Sequence, residues 1–456
     1  MFNLSVNILR GKDKIGENLI EVTDGNNKIL LECGVALEPT DKSKEIEKQV
    51  LLTEYDAIII THYHHDHSAL LKTPLKAKKI YISNGALKIL DYCKAICEEN
   101  KQRIEILSDQ KVFSIGRINC KSYLCDHSAY DSYMIELEED GESILYTGDF
   151  RSNGRKNFQT LLDKLPKKVN LLIAEATKPT LYNQTEKDLE ESAVKVFSES
   201  DKVFILQSTL NIDRTVSFYR ASKRTGKPFI MGLSSADICA ELKNIPNPKT
   251  FDDCYTYLSY SEDNTTHEKT KMAYGKKLLG RSQIVKMKNF TMQINAGMLE
   301  YLKKLNESTE LNSSVLVYSM WQGYKSEMQE FLDGVKALGI KSVDLHVSGH
   351  ADVSTIELMI NKTNPDKIEF VHTCKEDAFL WESLLLCLKY GGVNDSYVER
   401  NMKASYTKTK KSFEVLEKMG YIVYNKKYDL QNGMGGTDKK LDIIQSNQSH
   451  LLQFQN

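Results

Sequence analysis

His62, His64, Asp66 and His67 fall within six residues, in the run Thr61-His62-Tyr63-His64-His65-Asp66-His67-Ser68, directly after the apolar segment Ala57-Ile58-Ile59-Ile60. Imidazoles and a carboxylate at this density are the ligand types of a metal site. Three imidazoles packed together repel one another when protonated and need a cation to justify them. The chain holds only ten histidines in 456 residues, so composition does not explain the cluster. His65 points away if its neighbours point in, and reads as solvated. A cluster this short makes half a site at most, and the rest of the chain must supply the other half.

Further ligand types stand at similar places. Cys125-Asp126-His127-Ser128 follows a strand-like run, and Asp149 lies just past another in Tyr146-Thr147-Gly148-Asp149-Phe150-Arg151, where Gly148 permits a tight turn. Leu345-His346-Val347-Ser348-Gly349-His350 and Phe370-Val371-His372 each read as a strand ending in histidine. Taken singly, His127, Asp149, His350 and His372 read as satisfied turn residues. Taken together, six of the ten histidines sit at strand ends or in the loops after them, where open sheets present ligands. His346 alternates with Val347 and reads as core or surface.

The elements that must carry these residues follow from periodicity. Residues 4–9, 17–23 and 28–32 are short β-rich runs separated by Gly, Asp and Asn turns, followed by a strand over 56–60 and a helix over 84–100. Strands over 133–138 and 143–147 flank Glu139-Asp140-Gly141-Glu142, a hairpin signal. From residue 170 the rhythm becomes strand 171–174, helix 185–198, strand 203–207, helix 212–224 and strand 228–231, which implies a parallel sheet covered by helices. Residues 248–270 read as a long polar loop, and 430–456, rich in Gly, Asn, Gln and Ser, as a fraying end.

Composition bounds the rest. With 61 basic and 62 acidic side chains the net charge is −1, so nucleic-acid binding would have to come from local patches. Nine cysteines, odd in number and without a Cys-x-x-Cys pair, fit reduced thiols in the cytoplasm. No apolar run reaches membrane-spanning length, and the N-terminus lacks a basic stretch followed by an apolar one.

The order His62-x-His64-x-Asp66-His67, His127, Asp149 resembles the metallo-β-lactamase fold, a four-layer αββα sandwich. Ala174-Glu175-Ala176-Thr177, Ser348-Gly349-His350 and His372 resemble motifs A, B and C of its β-CASP branch, nucleases such as ribonuclease J and the cleavage-and-polyadenylation endonuclease. The resemblance spans roughly residues 5–380 and implies a metallo-β-lactamase domain over 1–180, a β-CASP insert over 181–342 and completion of the first domain over 343–395. Residues 396–456 would be a C-terminal extension.

By that resemblance, His62, His64 and His127 would hold one metal and Asp66, His67 and His372 a second, with Asp149 bridging. An imidazole-dominated set suits two Zn²⁺, with Mn²⁺ the alternative. A shared hydroxide would then attack a phosphodiester without a protein nucleophile. Asp66, His350 and Glu175 are the candidate catalytic residues: His350 for the scissile phosphate and the departing oxygen, and Glu175 to orient it. Ser348 joins His350 as a phosphate contact. Histidine at the motif C position, His372, points to single-stranded RNA clamped between the two domains. A DNA nuclease of the same fold and an inactive RNA- or partner-binding platform are the alternatives, and a homo-oligomer is left open.

Three features depart from the family pattern: Glu32 replaces the usual aspartate, Tyr130 a common proline, and Ser319-Met320-Trp321-Gln322-Gly323-Tyr324 the glycine-rich loop of ribonuclease J. Arg214, Arg220, Lys223 and Arg224, with Lys276, Lys277 and Arg281, are the candidate backbone contacts. Lys403, Lys408, Lys410 and Lys411 read as a solvated helix face.

Overall fold

The computed structural model describes residues 4–177, 180, 183–258, 264–374, 377–383, 416, 422–425 and 440–443. The expectations for the fraying tail and for the lysines beyond 400 fall outside these residues, apart from 440–443.

Two six-stranded sheets stack face to face. The first takes its strands in chain order: Ser5–Arg10, Leu19–Thr23, Lys28–Leu31, Tyr55–Ile59, Ala77–Ser83 and Ile104–Leu107. The second runs Lys367–Val371, Leu171–Glu175, Glu142–Tyr146, Ser132–Glu139, Ile118–Cys125 and Val112–Ile115. Period-two alternation drives the stacking. Ile20, Val22, Ile29, Leu31, Ala57 and Ile59 from one sheet meet Ile118, Cys120, Ile135, Leu137, Ile144 and Ile173 from the other in a single buried cluster. Helices Asp41–Leu52 and Asn84–Tyr92 contribute Val50, Ile89 and Leu90 to the apolar layer outside the first sheet. Phe158–Lys164 and Val353–Thr363 cover the second with Leu161, Leu162, Ile356 and Met359. The result is the expected αββα sandwich.

The Glu139–Glu142 connection is a two-residue hairpin. Asp140 and Gly141 take φ of 50° and 86°, the left-handed pair that matches the twist of the flanking strands. The helix expected over 84–100 is broken. It stops at Tyr92, Lys94 turns through φ 53°, and a short helix resumes at Glu98–Lys101. Strand-forming signals inside the 248–270 stretch were masked by its polarity. Cys254–Tyr257 is a strand with Cys254, Thr256 and Tyr257 buried, and a helix covers Asn264–Tyr274.

A third sheet has seven strands, all parallel: Leu278–Leu279, Cys254–Tyr257, Phe229–Gly232, Phe290–Ile294, Lys202–Gln207, Val315–Ser319 and Lys341–Asp344. Its central strands are apolar on both faces because helices lie on both. The last strand ends at Asp344, so Leu345, His346 and Val347 lie in a loop rather than on the strand the sequence suggested. That loop hydrogen-bonds back to the sheet through Leu345 N, which donates to Tyr318 O at 3.0 Å.

Topology explains why the ligand types converge. Ile118–Cys125, Glu142–Tyr146, Leu171–Glu175 and Lys367–Val371 all run in one direction, so His127, Asp149, Glu175 and His372 emerge on one edge of the second sheet. The loop after Tyr55–Ile59 brings His62 to His67 to the same edge from the first sheet.

Candidate metal centre

Asp149 is the hub. Its Oδ2 lies 3.8 Å from His62 Nε2, 3.3 Å from His67 Nε2, 3.8 Å from His127 Nε2, 3.7 Å from His350 Nδ1 and 3.4 Å from His372 Nε2. Among the described residues four groups have ligand atoms close enough to share an ion: His62, His64, His127 and Asp149; Asp66, His67 and His372; Asp149, Glu175, His350 and His372; and Glu32, His62 and His67. Gly148, at φ 54°, makes the turn that delivers Asp149, and a Cβ there would sit 2.7 Å from Thr61 Oγ1.

The rings of His62, His67, His127 and His372 each meet a partner at Nδ1, which leaves Nε2 facing inward. His127 Nδ1 donates to Gly349 O at 2.5 Å. Thr61 Oγ1 donates to Glu32 Oε1 at 2.5 Å and therefore accepts from His62 Nδ1 at 3.0 Å. His67 Nδ1 lies 3.2 Å from the same Glu32 oxygen, and both groups are fully buried. Glu32 thus reaches its partners despite replacing the shorter aspartate, with its backbone at φ 65°. His372 Nδ1 pairs with Thr177 Oγ1 at 2.8 Å, while its Nε2 approaches Asp66 Oδ2 at 3.1 Å.

The donors fit bound cations. His62 Nε2 and Asp149 Oδ1 are buried without a hydrogen-bond partner, and His64 Nδ1 and His127 Nε2 face each other at 3.2 Å. Buried polar atoms of this kind need a partner, and a cation serves all of them at once. Burial and the neighbouring imidazoles hold His62 and His127 well below the usual histidine range, and burial takes His64 down to about 4, so all three are neutral at pH 7. Neutral imidazole is the ligating form. Burial opposes charge on His67 as well, but Asp149, Asp66 and Glu32 outweigh it and push its pKa up. The buried Asp149 and Asp66 carboxyls are held far below the usual range by His372 and His67.

His350 stands beside this cluster, 28% exposed at its side chain. Burial disfavours its charge, yet Glu175 and Asp149 raise its pKa to about 9. Its Nδ1 meets Glu175 Oε2 at 3.0 Å. Glu175 Oε1 accepts from the backbone N–H groups of Phe150 and Ala351, at 3.0 and 3.2 Å. One carboxylate therefore ties the Asp149 loop to the His350 loop. The Ser348 hydroxyl accepts from His350 N–H at 3.1 Å and shapes that loop from within.

The signature of the Metallo-beta-lactamase superfamily matches residues 16–82. The "RNase J-like protein" of Methanocaldococcus jannaschii is 31% identical over 207 residues, 42% of this chain and 47% of that protein. "Cleavage and polyadenylation specificity factor 73" of Drosophila melanogaster is 26% identical over 41% of this chain and 30% of its own length. Residues 16–82 thus carry the superfamily signature, and the chain is similar to nucleases of its β-CASP branch. The match spans less than half the length of either relative. Among solved structures, a "Protein of Unknown Function from Enterococcus faecalis V583" superposes with a TM-score of 0.66 at 19% identity, over 81% of this chain and 94% of that one. The two chains thus share a fold.

Several participants went unassigned in the sequence reading. Thr177 touches Glu175 Oε2 at 2.7 Å, His350 Nδ1 at 3.0 Å and His372 Nδ1 at 2.8 Å, linking motifs A, B and C through one hydroxyl. The signal was its place two residues after Glu175, where a strand-end side chain projects to the same face. Arg214 is a correction. It is buried, paired with Glu186 at 3.1 Å, and donates to Val347 O at 3.0 Å, so it cannot meet a nucleic-acid backbone. Arg151 joins the same network, donating to Asp126 and Asp213 at 2.7 Å each and to Ser348 O at 3.1 Å. Arg224 is spoken for by Glu190 and Glu191, and Arg220 and Lys223 lie 3.9 Å from Glu190 and Asp253. Lys277 binds the Asp252 carbonyl, while Lys276 and Arg281 stay exposed. His346 sits in the loop with its pKa lowered to about 4 by burial and by Arg214. His65 is exposed. Tyr130 donates its N–H to Tyr63 OH at 2.9 Å, a bond that proline at this position would lack. Among the described residues no helix is long and apolar enough to cross a membrane.

Proposed function

We propose that the chain is a metal-dependent nuclease that hydrolyses phosphodiester bonds of RNA, with residues 181–342 as the insert that closes over the strand. The observation that carries this reading is the convergence of His62, His67, His127 and His372 on Asp149 Oδ2 beside a hydrogen-bonded His350–Glu175 pair.

In this reading His62, His64 and His127 hold one zinc ion, Asp66, His67 and His372 a second, and Asp149 serves both. Two such ions would lower the pKa of a water molecule and offset charge on the phosphodiester. The chain's own residues do the rest. Glu32 and Thr61 fix the rings of His67 and His62, and Gly349 O fixes His127. His350, held protonated by Glu175, binds a phosphate oxygen and gives its proton to the departing oxygen. Glu175 keeps the imidazolium in place and takes no proton itself. No serine or cysteine nucleophile is required. RNA is preferred over DNA because of the names carried by the relatives and because His372 occupies the motif C position.

The test is incubation of the purified chain with matched RNA and DNA strands labelled at either end, with and without chelator, alongside a zinc determination. Cleavage of RNA that chelator stops supports the reading, and ladder polarity gives the direction. Stoichiometric zinc with no chelator-sensitive cleavage of either polymer overturns it, and cleavage confined to DNA overturns the RNA assignment.

A further inference from the structure

The strand Val315–Ser319 lies inside the third sheet and ends on the edge that faces the metal centre. Ser319 Oγ donates to Leu345 O at 2.5 Å, and Arg214 joins Ser319 to Val347 O, one residue before Ser348-Gly349-His350. Two residues past Ser319 the chain presents Trp321, 62% exposed, and then Tyr324, 43% exposed. Among the described residues these are the one pair of exposed large side chains in ring contact, with centroids 5.4 Å apart and planes at 85°.

Their placement is built rather than incidental. The indole ring folds over Gly323, where a Cβ would lie 2.0 Å from a ring carbon, so only glycine admits this arrangement. Tyr318 OH donates to Trp321 O at 2.9 Å, and Tyr324 N donates to the same carbonyl at 3.1 Å, fixing the loop. The two rings stand nearly at right angles, and the indole remains exposed to solvent. Gln322, Gly323 and Ser326 around it are exposed and not hydrophobic, so the pair has no contiguous apolar surface of the kind a protein partner needs. A flat ring in polar surroundings at the C-terminal edge of a parallel sheet suits another flat ring.

We infer that Trp321, braced by Tyr324, is a stacking platform for a base of single-stranded RNA whose scissile phosphate lies at the metal centre. The inference rests on the nuclease reading and adds a substrate contact on the insert. It also gives a chain of net charge −1 an uncharged contact with RNA, where Arg214 and Arg224 of the helix Ile212–Arg224 are engaged by Glu186, Glu190 and Glu191. Stacking is worth enough per base to shift affinity about tenfold.

Binding of a short phosphorothioate RNA oligonucleotide to the metal-loaded full chain tests it, read by anisotropy and by tryptophan fluorescence. Trp381 is fully buried, so quenching on binding would report Trp321. Trp321→Ala should weaken binding about tenfold and abolish the quench, while Trp321→Phe restores most of the affinity. Replacing successive nucleotides by abasic ones should find one position whose loss matches that of Trp321→Ala in wild type and costs nothing further in the variant. Wild-type affinity in a Trp321→Ala variant that melts at the wild-type temperature overturns the platform alone. A variant that changes only the sedimentation of the protein also overturns it, in favour of a contact between copies. Failure of the wild type to bind RNA overturns both the platform and the nuclease reading.

Discussion

Two buried ionic clusters lie within a few residues of each other, and they are constructed on opposite principles. Around Arg151 and Arg214 every charge has an ionic partner, although burial lowers the Arg214 pKa and, with Asp126, raises that of Asp213. Glu186 is fully buried and its carboxylate, which burial alone would push up, is held down to about 2 by both guanidiniums and by the Ser217 hydroxyl. Arg151 shares itself among Asp126, Asp213, Glu186 and the Ser348 carbonyl. Around Asp149 burial leaves His62 Nε2 and Asp149 Oδ1 without a hydrogen-bond partner. The first cluster is complete as it stands and holds the 345–350 loop between sandwich and insert. The second is an arrangement that a cation completes. A buried charge network is therefore no guide to chemistry until its polar atoms are counted.

That comparison can be broken most directly at the open cluster. Asp149→Asn or His64→Ala should lower RNA cleavage by a factor on the order of 10³, the scale of several kcal/mol of lost transition-state stabilisation. Chelator-treated His64→Ala should melt close to chelator-treated wild type, whereas Asp149→Asn should melt lower, because it removes the carboxylate that raises the His67 and His350 pKa values. A metal-free His64→Ala protein that unfolds readily would show that His64 is structural. The closed cluster should respond in the reverse way. Arg214→Met or Glu186→Gln leaves an unpaired buried charge and should cost about 3–5 kcal/mol of stability in urea titrations. A midpoint shift of under ~1 kcal/mol would mean the network relaxes or hydrates, contrary to its burial.

Glu175 belongs to both descriptions, since it anchors two loops and faces His350. Glu175→Gln should reduce cleavage about 10–100-fold, the usual scale for a group that acts through another. It also removes the carboxylate that raises the His350 pKa to about 9. The basic limb of the pH–rate profile should then move to lower pH, whereas a purely structural loss would lower the profile without displacing it. The smallest effect is on the metal-free protein's own stability. His62, His64 and His127 have folded pKa values below the unfolded one, so they withdraw stability as pH falls through about 6.5 toward 4. His67 and His350 are raised, so their contribution is present below about 6.5 and is lost as pH rises toward 9. Melting of chelator-treated protein should accordingly peak near the ordinary imidazole pKa and fall on both sides, and saturating zinc should suppress the acidic fall down to the pH at which the metal itself leaves. A monotonic dependence across that range would contradict the arrangement of charges around Asp149.

Much of the sandwich was legible in the chain because sheet residues declare themselves locally. Alternation in Ser5–Arg10 and Ser132–Glu139, the Asp140-Gly141 turn and the apolar run before His62 each depend on neighbours in sequence. The same locality failed at Cys254–Tyr257, where pairing with Phe229–Gly232 overrides a polar context, and at 84–100, where a left-handed Lys94 ends a helix that periodicity would continue. Arg214 misled for a related reason. A cation on an amphipathic helix looks solvated until a carboxylate 28 residues away in sequence is found beneath it.

By itself, the sequence determined which side chains have metal-ligand chemistry and which strand ends present them, since a histidine cluster after an apolar strand is a local fact. Only the tertiary structure decided that Asp149 is their common neighbour, that Glu32 and Thr177 govern ring orientation, and that Arg151 and Arg214 hold the fold instead of a ligand. Those outcomes depend on distances between segments that chain order leaves free, and on burial, which sets whether a charge is answered by protein or by water.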